Sequence, residues 1–262
     1  MRIALGIEYD GSAFRGWQTQ EEGVRTVQGA LEAALTRIAD RPVAVTCAGR
    51  TDAGVHGAGQ VVHFDTDALR SAHAWVMGSN SQLPPDVAVT WAQPVPEDFH
   101  ARFSAVARRY RYVILNRRYR PALTAGRATH WYRPLDARRM HEAGQALLGE
   151  HDFSAFRAAG CQAEHPRRAL YALEVARHGD LVVLEVEANA FLHHMVRNIA
   201  GVLLAIGGGE RPIAWAAEVL AGRDRRHGGV TAPADGLYFL HVQYPQRFGL
   251  PSGNPSALPV LF

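Results

Sequence analysis

A carboxylate set between glycines, with an arginine two residues before it, is the feature of this sequence best suited to chemistry. Asp52 lies in the segment 47–57, CAGRTDAGVHG, and Arg50 precedes it. In an extended chain the two side chains point the same way, and a guanidinium beside a carboxylate keeps the carboxylate ionised. An ionised aspartate can act as a nucleophile or as a base. The residues also fit a structural turn in which Arg50 pairs with Asp52, since turns favour Asp and Gly.

The composition excludes several other kinds of chemistry. All 28 basic residues are arginines, so a Schiff-base lysine and a P-loop lysine are both ruled out. The two cysteines, Cys47 and Cys161, form no C-x-x-C motif, which argues against a zinc site and a disulfide scaffold. No apolar run approaches the roughly 18 residues of a membrane helix, and the N-terminus lacks the apolar stretch of a signal peptide. We therefore expect a cytoplasmic protein without a metal and without membrane contact.

A basic and aromatic stretch runs between Asp98 and Asp136, with no acidic residue inside it. Arginines contact phosphates and aromatic rings offer stacking surfaces, so the stretch fits a nucleic-acid footprint. An arginine-rich solvated face over core aromatics fits the same residues. The arginines are Arg102, Arg108, Arg109, Arg111, Arg117, Arg118, Arg120, Arg127 and Arg133, and the aromatics are Phe99, Phe103, Tyr110, Tyr112, Tyr119, Trp131 and Tyr132.

The first part of the chain shows a β-α-β-β-α-β order, the split pattern of a ferredoxin-like unit. Thr26 is a suitable cap for a helix over 26–39, whose apolar residues follow helical spacing. Ser71 starts a second predicted helix, which ends before Pro84. The predicted strands are 2–9, 43–48, 59–66 and 87–92.

The second part of the chain matches this pattern only loosely. Asp136 caps a predicted helix, and the turn 178–180 joins the two strands of a predicted hairpin. The fold class is therefore α+β, and we expect an N-terminal domain over 1–104 and a C-terminal domain over 105–262. The predicted strands are 108–116, 170–177, 181–188 and 237–244, the helices are 136–148, 191–206 and 212–221, and a tail rich in Pro, Gly and Ser covers 245–262.

The run AGRTDAGVHG at 48–57 closely resembles the catalytic motif of the bacterial tRNA pseudouridine synthase A family, which acts in the anticodon stem-loop. Other segments resemble that family in the same order and cover nearly the whole chain. Several motifs in the right order are far more specific than any one of them. The segments are GIEYDGSAFRGWQTQ at 6–20, TVQGALEAAL at 26–35, GQVVHF at 59–64, FHARFSAVARRYRY at 99–112, HDFSAF at 151–156, NAFLHHMVRNIAG at 189–201 and GLYFLHVQYP at 236–245.

The resemblance implies an isomerase that converts uridine to pseudouridine at tRNA positions 38, 39 and 40, without a cofactor or a metal. It also implies two ferredoxin-like-derived α/β-sandwich domains with mainly antiparallel sheets and an active-site cleft between them. Asp52 matches the family's catalytic aspartate, and attack on C6 of the base or on C1′ of the sugar both stay open. The family works as a homodimer on tRNA, so a second copy of this chain is an expected partner.

Four further residues match the substrate site of the family. Tyr110 matches a tyrosine that stacks on the flipped uracil, and Arg50 would orient Asp52 and hold it ionised. Arg197 lies in a matched apolar helix, where a charged side chain needs a partner; in the family, an arginine here reaches toward the catalytic carboxylate. Leu237 falls where the family places an apolar wall of the uracil pocket, although ordinary core packing fits this leucine as well.

The basic stretch is then a reasonable part of the RNA-binding surface, with Arg108, Arg109 and Arg111 as the expected phosphate contacts. Two other functions compete with the synthase. An Asp-dependent nucleoside glycosylase would use the same carboxylate and release free uracil. A non-catalytic RNA-binding module would bind tRNA and leave its nucleosides unchanged.

Overall fold

The fold is α+β, and the chain separates into two compact units. The computed structural model describes residues 1–251. Unit 1 comprises Met1–Val106 together with the chain from Tyr238 onward, and unit 2 comprises Ala107–Leu237. The first boundary therefore falls at Val106, where residue 104 was expected. Of the expected tail 245–262, residues 252–262 lie outside the described residues.

Unit 1 contains five strands and two helices of the described chain. They are β1 (Arg2–Tyr9), α1 (Val27–Ala39), β2 (Thr46–Cys47), β3 (His56–Asp65), α2 (Ala72–Gln82), β4 (Val87–Val95) and β10 (Leu237–Gln243, which enters unit 1 at Tyr238). The first six confirm the predicted β-α-β-β-α-β order. The sheet order is β4-β1-β3-β10, with β2 also paired to β3. β10 runs parallel to β3, with Tyr238 opposite His56, and this pairing brings the last strand into unit 1 instead of the expected C-terminal domain.

The strand β2 is much shorter than the predicted strand 43–48, and side chains of α1 explain why. The Val45 N–H donates to Glu32 Oε1 at 2.9 Å, and the Val43 N–H donates to Thr36 Oγ1 at 3.1 Å. These backbone donors are satisfied by a helix instead of a neighbouring strand. The segment therefore leads into Thr46 and Cys47 as an ordered loop.

The two helices of unit 1 bury their apolar faces in one core with the sheet. Leu31 and Leu35 of α1 and Trp75 of α2 are buried in a cluster with β1 and β3, and the Trp75 ring meets Phe64 edge-on at 5.1 Å. Both helices start at the predicted caps. Thr26 Oγ1 accepts the Gly29 N–H, and Ser71 Oγ accepts the Ala74 N–H, each cap contributing about 1 kcal/mol.

Unit 2 contains five strands, paired mainly antiparallel, and three helices of the described residues. Its elements are β5 (Ala107–Asn116), β6 (Thr129–Trp131), α3 (Ala137–Gln145), β7 (Gly149–Asp152), β8 (Arg167–His178), β9 (Leu181–Ala188), α4 (Met195–Gly207) and α5 (Trp215–Gly222). The strand order is β5-β9-β8-β7, and β6 pairs in parallel with β5. The predicted hairpin β8–β9 is confirmed, with His178 opposite Leu181. Asp136 caps α3 as predicted, through its Oδ1 and the N–H of Arg138.

Two kinds of element differ from the prediction in unit 2. The predicted helix 191–206 begins only at Met195, because His194 has a φ of 60° in the left-handed region and interrupts the helix. The strands β6 and β7 were missed, since three and four residues are too few to show an alternating pattern. Within residues 1–251, no helix has both the length and the apolar character needed to span a membrane.

His63 gives unit 1 a stability that depends on pH. Its ring is buried in β3, and its Nδ1 accepts a hydrogen bond from the Ala101 N–H at 3.1 Å, which requires an unprotonated nitrogen. Burial lowers the pKa of His63 to about 4, and the nearby charges of Arg2 and His100 act in the same direction, while Asp65 opposes them.

We expect the free energy of unfolding to fall as the pH drops from about 6.5 to 4. The unfolded chain protonates His63 near its ordinary pKa of about 6.5, whereas the folded chain does not until the pH approaches the lowered value, so stability rises with pH across this window. In His63→Asn the amide oxygen can accept the same hydrogen bond without titrating. Urea unfolding across the window should give a shallower pH dependence for the variant, and identical slopes would contradict the assignment.

Candidate active site

Asp52 begins a tight turn that ends at Val55, the residue before β3. The Val55 N–H donates to the Asp52 carbonyl oxygen at 3.1 Å, and Gly54 has a φ of 81°, as the third position of such a turn requires. The Asp52 side chain is half-buried, and Arg50 is exposed. The turn thus presents the carboxylate at the surface of unit 1 on a backbone with a defined conformation.

A second loop, residues 14–17, holds this turn by backbone hydrogen bonds. The Trp17 N–H donates to the Thr51 carbonyl at 2.9 Å, and the Gly54 N–H donates to the Phe14 carbonyl at 3.4 Å. Phe14 and Trp17 are both buried, with Trp17 only 1% exposed. Burial of these two rings in the core fixes loop 14–17, and that loop in turn holds the Asp52 turn.

Gly16 is the point at which the two loops come closest. Its φ is 99°, and a Cβ built there would lie 2.9 Å from the Thr51 carbonyl oxygen and 3.2 Å from the Asp52 carbonyl carbon. Both the left-handed backbone and the lack of space favour glycine. Any side chain at this position would push directly on the backbone that carries Asp52.

Buried polar groups fix the part of the loop that precedes Asp52. Gln60, which is fully buried, donates from Nε2 to the Gly49 carbonyl at 2.6 Å. The Tyr9 hydroxyl is 2.8 Å from Thr51 Oγ1, and burial raises the pKa of Tyr9, so this hydroxyl stays protonated. Each contact joins the loop to a strand of the sheet, which limits how far the intervening residues can move.

His56, just after the turn, is held in place by the protein itself. Its Nδ1 accepts the Gly11 N–H at 3.1 Å and lies 3.3 Å from Asp10 Oδ1. Its ring is 2% exposed and stacks on Tyr238 at 4.6 Å with an interplanar angle of 19°. These contacts hold the His56 ring in a fixed position within unit 1.

Arg50 contributes positive charge where the Asp52 loop leaves β2. Burial raises the pKa of the Cys47 thiol to about 12, while the charges of Arg50 and Arg102 act against this rise. The expected pairing of Arg50 with Asp52 stays a prediction.

Tyr110 and Tyr112 lie on the buried face of β5, as the strand alternation predicts. Tyr110 is 9% exposed, and its ring meets Phe191 edge-on at 4.9 Å. The Tyr112 hydroxyl lies 2.7 Å from Thr129 Oγ1 and donates to the Pro233 carbonyl at 2.9 Å. Tyr112 is thus a structural core residue, while Tyr110 has a ring fixed by an aromatic neighbour.

Arg197 and Leu237 also lie in unit 2. Arg197 is half-buried on α4; its Nε donates to the Ala232 carbonyl at 2.8 Å, and the Ala232 N–H donates back to the Arg197 carbonyl at 3.1 Å. Leu237 is 5% exposed at the first position of β10. The predicted partnership of Arg197 with Asp52 joins residues of different units and stays a prediction.

The three arginines expected to contact RNA make protein contacts on and beside β5. Arg109 lies opposite Glu187 and Arg111 opposite Glu185 in the β5–β9 register. Arg109 Nη2 is 2.6 Å from Glu187 Oε2, and Arg111 Nε donates to Glu185 Oε1 at 2.7 Å. Arg108 Nη1 donates to the Asn189 carbonyl at 2.8 Å. The charges of Arg109 and Arg111 are therefore compensated within unit 2.

The sequence did not identify the residues that support the Asp52 loop. None of Gly16, Trp17 and Gln60 was singled out. The glycine in FRGW was a signal for a special backbone position, since glycine favours positive φ. Gln60 gave no signal of its own, because a buried amide in a strand is recognised only once its partner, the Gly49 carbonyl, is known.

Comparisons with known proteins find similarity to tRNA pseudouridine synthases over almost the entire chain. A family model described as tRNA pseudouridine synthase matches residues 6–104 and 143–245. A relative from Nitrosococcus oceani named tRNA pseudouridine synthase A is 62% identical over 251 residues, 96% of each chain. Relatives of the same name from Pectobacterium atrosepticum and Pseudomonas aeruginosa are 59% and 61% identical, covering 96% and 95% of this chain and 88% of their own length.

Replacing Gly16 by alanine should loosen the Asp52 turn. The variant combines an unfavourable positive φ, which costs about 1 kcal/mol or more, with the contact between Cβ and the Thr51–Asp52 backbone. We expect faster amide hydrogen exchange at Gly54 and Val55, whose N–H groups hold the turn.

Gly23→Ala is a matched control for this experiment. Gly23 also has a positive φ, of 86°, but a Cβ there has nothing within 4 Å. It should show the backbone strain without the change in exchange at Gly54 and Val55. If both variants altered exchange there equally, close approach at Gly16 would not be what positions the turn.

Proposed function

We propose that this chain, which belongs to the tRNA pseudouridine synthase family, isomerises uridine to pseudouridine at positions 38, 39 and 40 in the anticodon stem-loop of tRNAs, with Asp52 as the nucleophile. The observation that carries this proposal is the Asp52 turn. Its half-buried carboxylate stands on a backbone hydrogen-bonded to residues 14–17, within a motif that resembles the family's catalytic one. A nucleophile needs this kind of fixed position, because its placement supplies part of the rate enhancement.

The reaction rearranges one nucleoside without gaining or losing atoms. The target base leaves the stack so that the enzyme can reach it, and the Asp52 carboxylate forms a bond to C6 of the uracil or to C1′ of the ribose. The N1–C1′ bond breaks, the uracil turns, and C5 bonds to C1′. The proton on C5 is then lost, N1 gains a proton, and Asp52 is released. The family resemblance implies that the reaction needs neither a cofactor nor a metal.

The remaining site residues have proposed roles around this carboxylate. Arg50 is exposed, lies two residues before Asp52 and would help to hold it ionised. Tyr110 would stack on the extruded uracil and assist removal of the C5 proton; its contact with Phe191 supports a fixed ring. Leu237 would form an apolar wall of the uracil pocket. Arg197 would reach the Asp52 carboxylate, with its Nε already oriented by Ala232.

Arginines beyond β5 are better placed than Arg108, Arg109 and Arg111 to carry phosphate contacts. Arg118 and Arg120 are exposed and lie in a stretch without acidic residues. The Arg118 guanidinium lies 5.8 Å from the Tyr119 ring centroid, and Tyr119 itself is 74% exposed. Because Glu185 and Glu187 compensate the charge on β5, we propose that the following loop supplies most of the attraction to RNA. A homodimer acting in the cytoplasm completes the proposal, as the family resemblance implies.

Asp52→Asn should abolish the reaction while leaving RNA binding in place. The amide keeps the shape of the carboxylate but cannot act as a nucleophile. With tRNA carrying tritium at uridine C5, we expect tritium release to water by the wild type and none above background by the variant. Circular dichroism and a tRNA binding titration serve as controls for folding and binding.

Each other result of this assay identifies a different function. Equal release by both proteins would remove Asp52 as the nucleophile. Tight tRNA binding without release from the wild type would identify a non-catalytic RNA-binding module. Free uracil among the products would identify a glycosylase.

The double variant Arg118→Gln/Arg120→Gln should bind tRNA more weakly and with a smaller salt dependence. Each lost phosphate contact reduces the slope of log K against log salt by about 0.7–0.9, so two lost contacts should reduce it by roughly 1–2. Fluorescence anisotropy across a salt series measures the slope.

Arg226→Gln is the matched control for this double variant. Arg226 is also exposed, but it pairs with Asp224 at 2.6 Å, so its removal should leave the slope unchanged. An unchanged slope in the double variant would exclude Arg118 and Arg120 as phosphate contacts.

A further inference from the structure

The chain between α5 and β10 includes a segment, residues 230–236, that is neither helix nor strand and lies against α4. A Cβ built on Gly201 of α4 would overlap the Val230 carbonyl oxygen, so the close approach requires glycine at this position. The Ala232 N–H donates to the Arg197 carbonyl at 3.1 Å, and Arg197 Nε donates to the Ala232 carbonyl at 2.8 Å. The segment therefore holds Arg197 by its backbone and by its side chain.

A buried amide on α4 fixes the first half of the 230–236 segment. Asn198 is 1% exposed, and its Oδ1 accepts hydrogen bonds from Thr231 Oγ1 at 2.7 Å and from Arg225 Nη2 at 3.0 Å. Arg225 Nη2 also donates to Thr231 Oγ1 at 2.9 Å. Asn198 Nδ2 in turn donates to the Phe156 carbonyl at 2.8 Å, so the amide itself cannot rotate freely.

Two buried hydroxyl groups fix the second half of the segment to β5 and β6. The Tyr112 hydroxyl donates to the Pro233 carbonyl at 2.9 Å, and Thr129 Oγ1 donates to Asp235 Oδ1 at 2.9 Å. The two hydroxyl oxygens are 2.7 Å apart. Burial raises the pKa of Tyr112, and the negative charge of Asp235 acts in the same direction, so this hydroxyl stays protonated and can donate.

The strand that holds the segment also carries the tyrosine proposed to stack on the uracil. Tyr110 and Tyr112 lie on the same buried face of β5. Between them and the segment, the Val113 N–H donates to the Gly236 carbonyl at 2.8 Å. Leu237, the proposed apolar wall of the pocket, is the next residue of the chain. The substrate-site residues proposed in unit 2 are thus connected to one another through residues 230–236.

We propose that the hydroxyl groups of Tyr112 and Thr129 are positioning groups for the isomerisation and act through the 230–236 segment. By holding that segment they determine where Arg197 and Leu237 meet the substrate. A displacement of about 1 Å at such a site can lower a rate by about 100-fold. The inference rests on the proposed function, because Arg197 and Leu237 have this role only if the chain rearranges uridine.

Thr129→Val tests the proposal, since it keeps the shape of the side chain and removes the hydroxyl. With the enzyme in saturating excess over tRNA labelled with tritium at uridine C5, the single-turnover rate constant of tritium release should fall by about 10–100-fold. The affinity for tRNA should stay unchanged, because no charge is removed. Partial unfolding alone reduces the amount of active enzyme and not this rate constant while the enzyme remains in excess.

Further variants separate the hydroxyl from the rest of the side chain. Thr129→Ser restores the hydroxyl and should restore the rate constant. Tyr112→Phe removes the donor to Pro233 and should lower it. The double variant Tyr112→Phe/Thr129→Val should lose less than the product of the two single effects, because both hydroxyls hold one segment.

Ser79→Ala is the control for deletion of a buried hydroxyl. Ser79 of α2 is fully buried, and its Oγ has no hydrogen-bond partner within the part of the chain that the structure describes. Its removal breaks no contact of the 230–236 segment and should leave the rate constant unchanged.

Amide hydrogen exchange tests the same contacts without turnover. The N–H groups of Ala232 and Leu237 donate to the carbonyls of Arg197 and Ala234. Their exchange should become faster in Thr129→Val and in Tyr112→Phe, and it should return to the wild-type rate in Thr129→Ser.

Three results would overturn the inference. They are unchanged exchange in both hydroxyl deletions, faster exchange with an unchanged rate constant, and a rate constant as low in Thr129→Ser as in Thr129→Val. In each of these the wild type still releases tritium. Absence of release by the wild type would instead refute the proposed function, so the two failures are distinguishable.

Discussion

The position of Asp52 depends on a close approach between two loop backbones. Residues 14–17 and 51–54 exchange peptide hydrogen bonds, and the approach is possible because Gly16 has no side chain. Peptide groups have fewer degrees of freedom than side chains, so these contacts define the backbone from which the Asp52 side chain extends. The anchor for the whole arrangement is the buried indole of Trp17, which also meets Tyr9 of β1 at 5.8 Å.

The supporting contacts around this loop join it to different parts of unit 1. Tyr9 belongs to β1, Gln60 belongs to β3, and Asp10 with Gly11 engages His56. A loop that is rich in glycine has a large conformational entropy to lose. Because the contacts of the loop are spread over several elements, the folded sheet determines the loop conformation before any substrate is present. The local sequence alone supplies no comparable constraint.

Much of the fold follows from local patterns, and the departures have physical causes. The helix starts at Thr26, Ser71 and Asp136 were predictable, since each residue can accept the unpaired N–H groups of a first turn. The length of β2 was not, because Glu32 and Thr36 of α1 take the N–H groups of Val45 and Val43. The membership of β10 in unit 1 depends on pairing with a strand about 180 residues earlier in the chain. Of the candidate site, the sequence predicts Asp52 from its motif, whereas the contacts of Gly16 and Gln60 are visible only in the structure.

The arginines show why composition alone cannot locate an RNA-binding surface. Many of them act as structural connectors: Arg157 Nη2 donates to the carbonyls of Cys161 and Ala163, and Arg225 Nη2 bridges Asn198 and Thr231. A guanidinium presents five N–H donors in a planar fork and remains charged, so in this lysine-free chain the same side chain serves loop closure, ion pairing and the phosphate binding that we propose. Which task each arginine performs is decided by its neighbours. Arg111 meets Glu185 only because β5 and β9 pair in one register, while Arg118 lies on an exposed loop. The distinction between structural and RNA-facing charge is therefore a property of strand register and loop exposure, and the net charge of +3 contains no information about it.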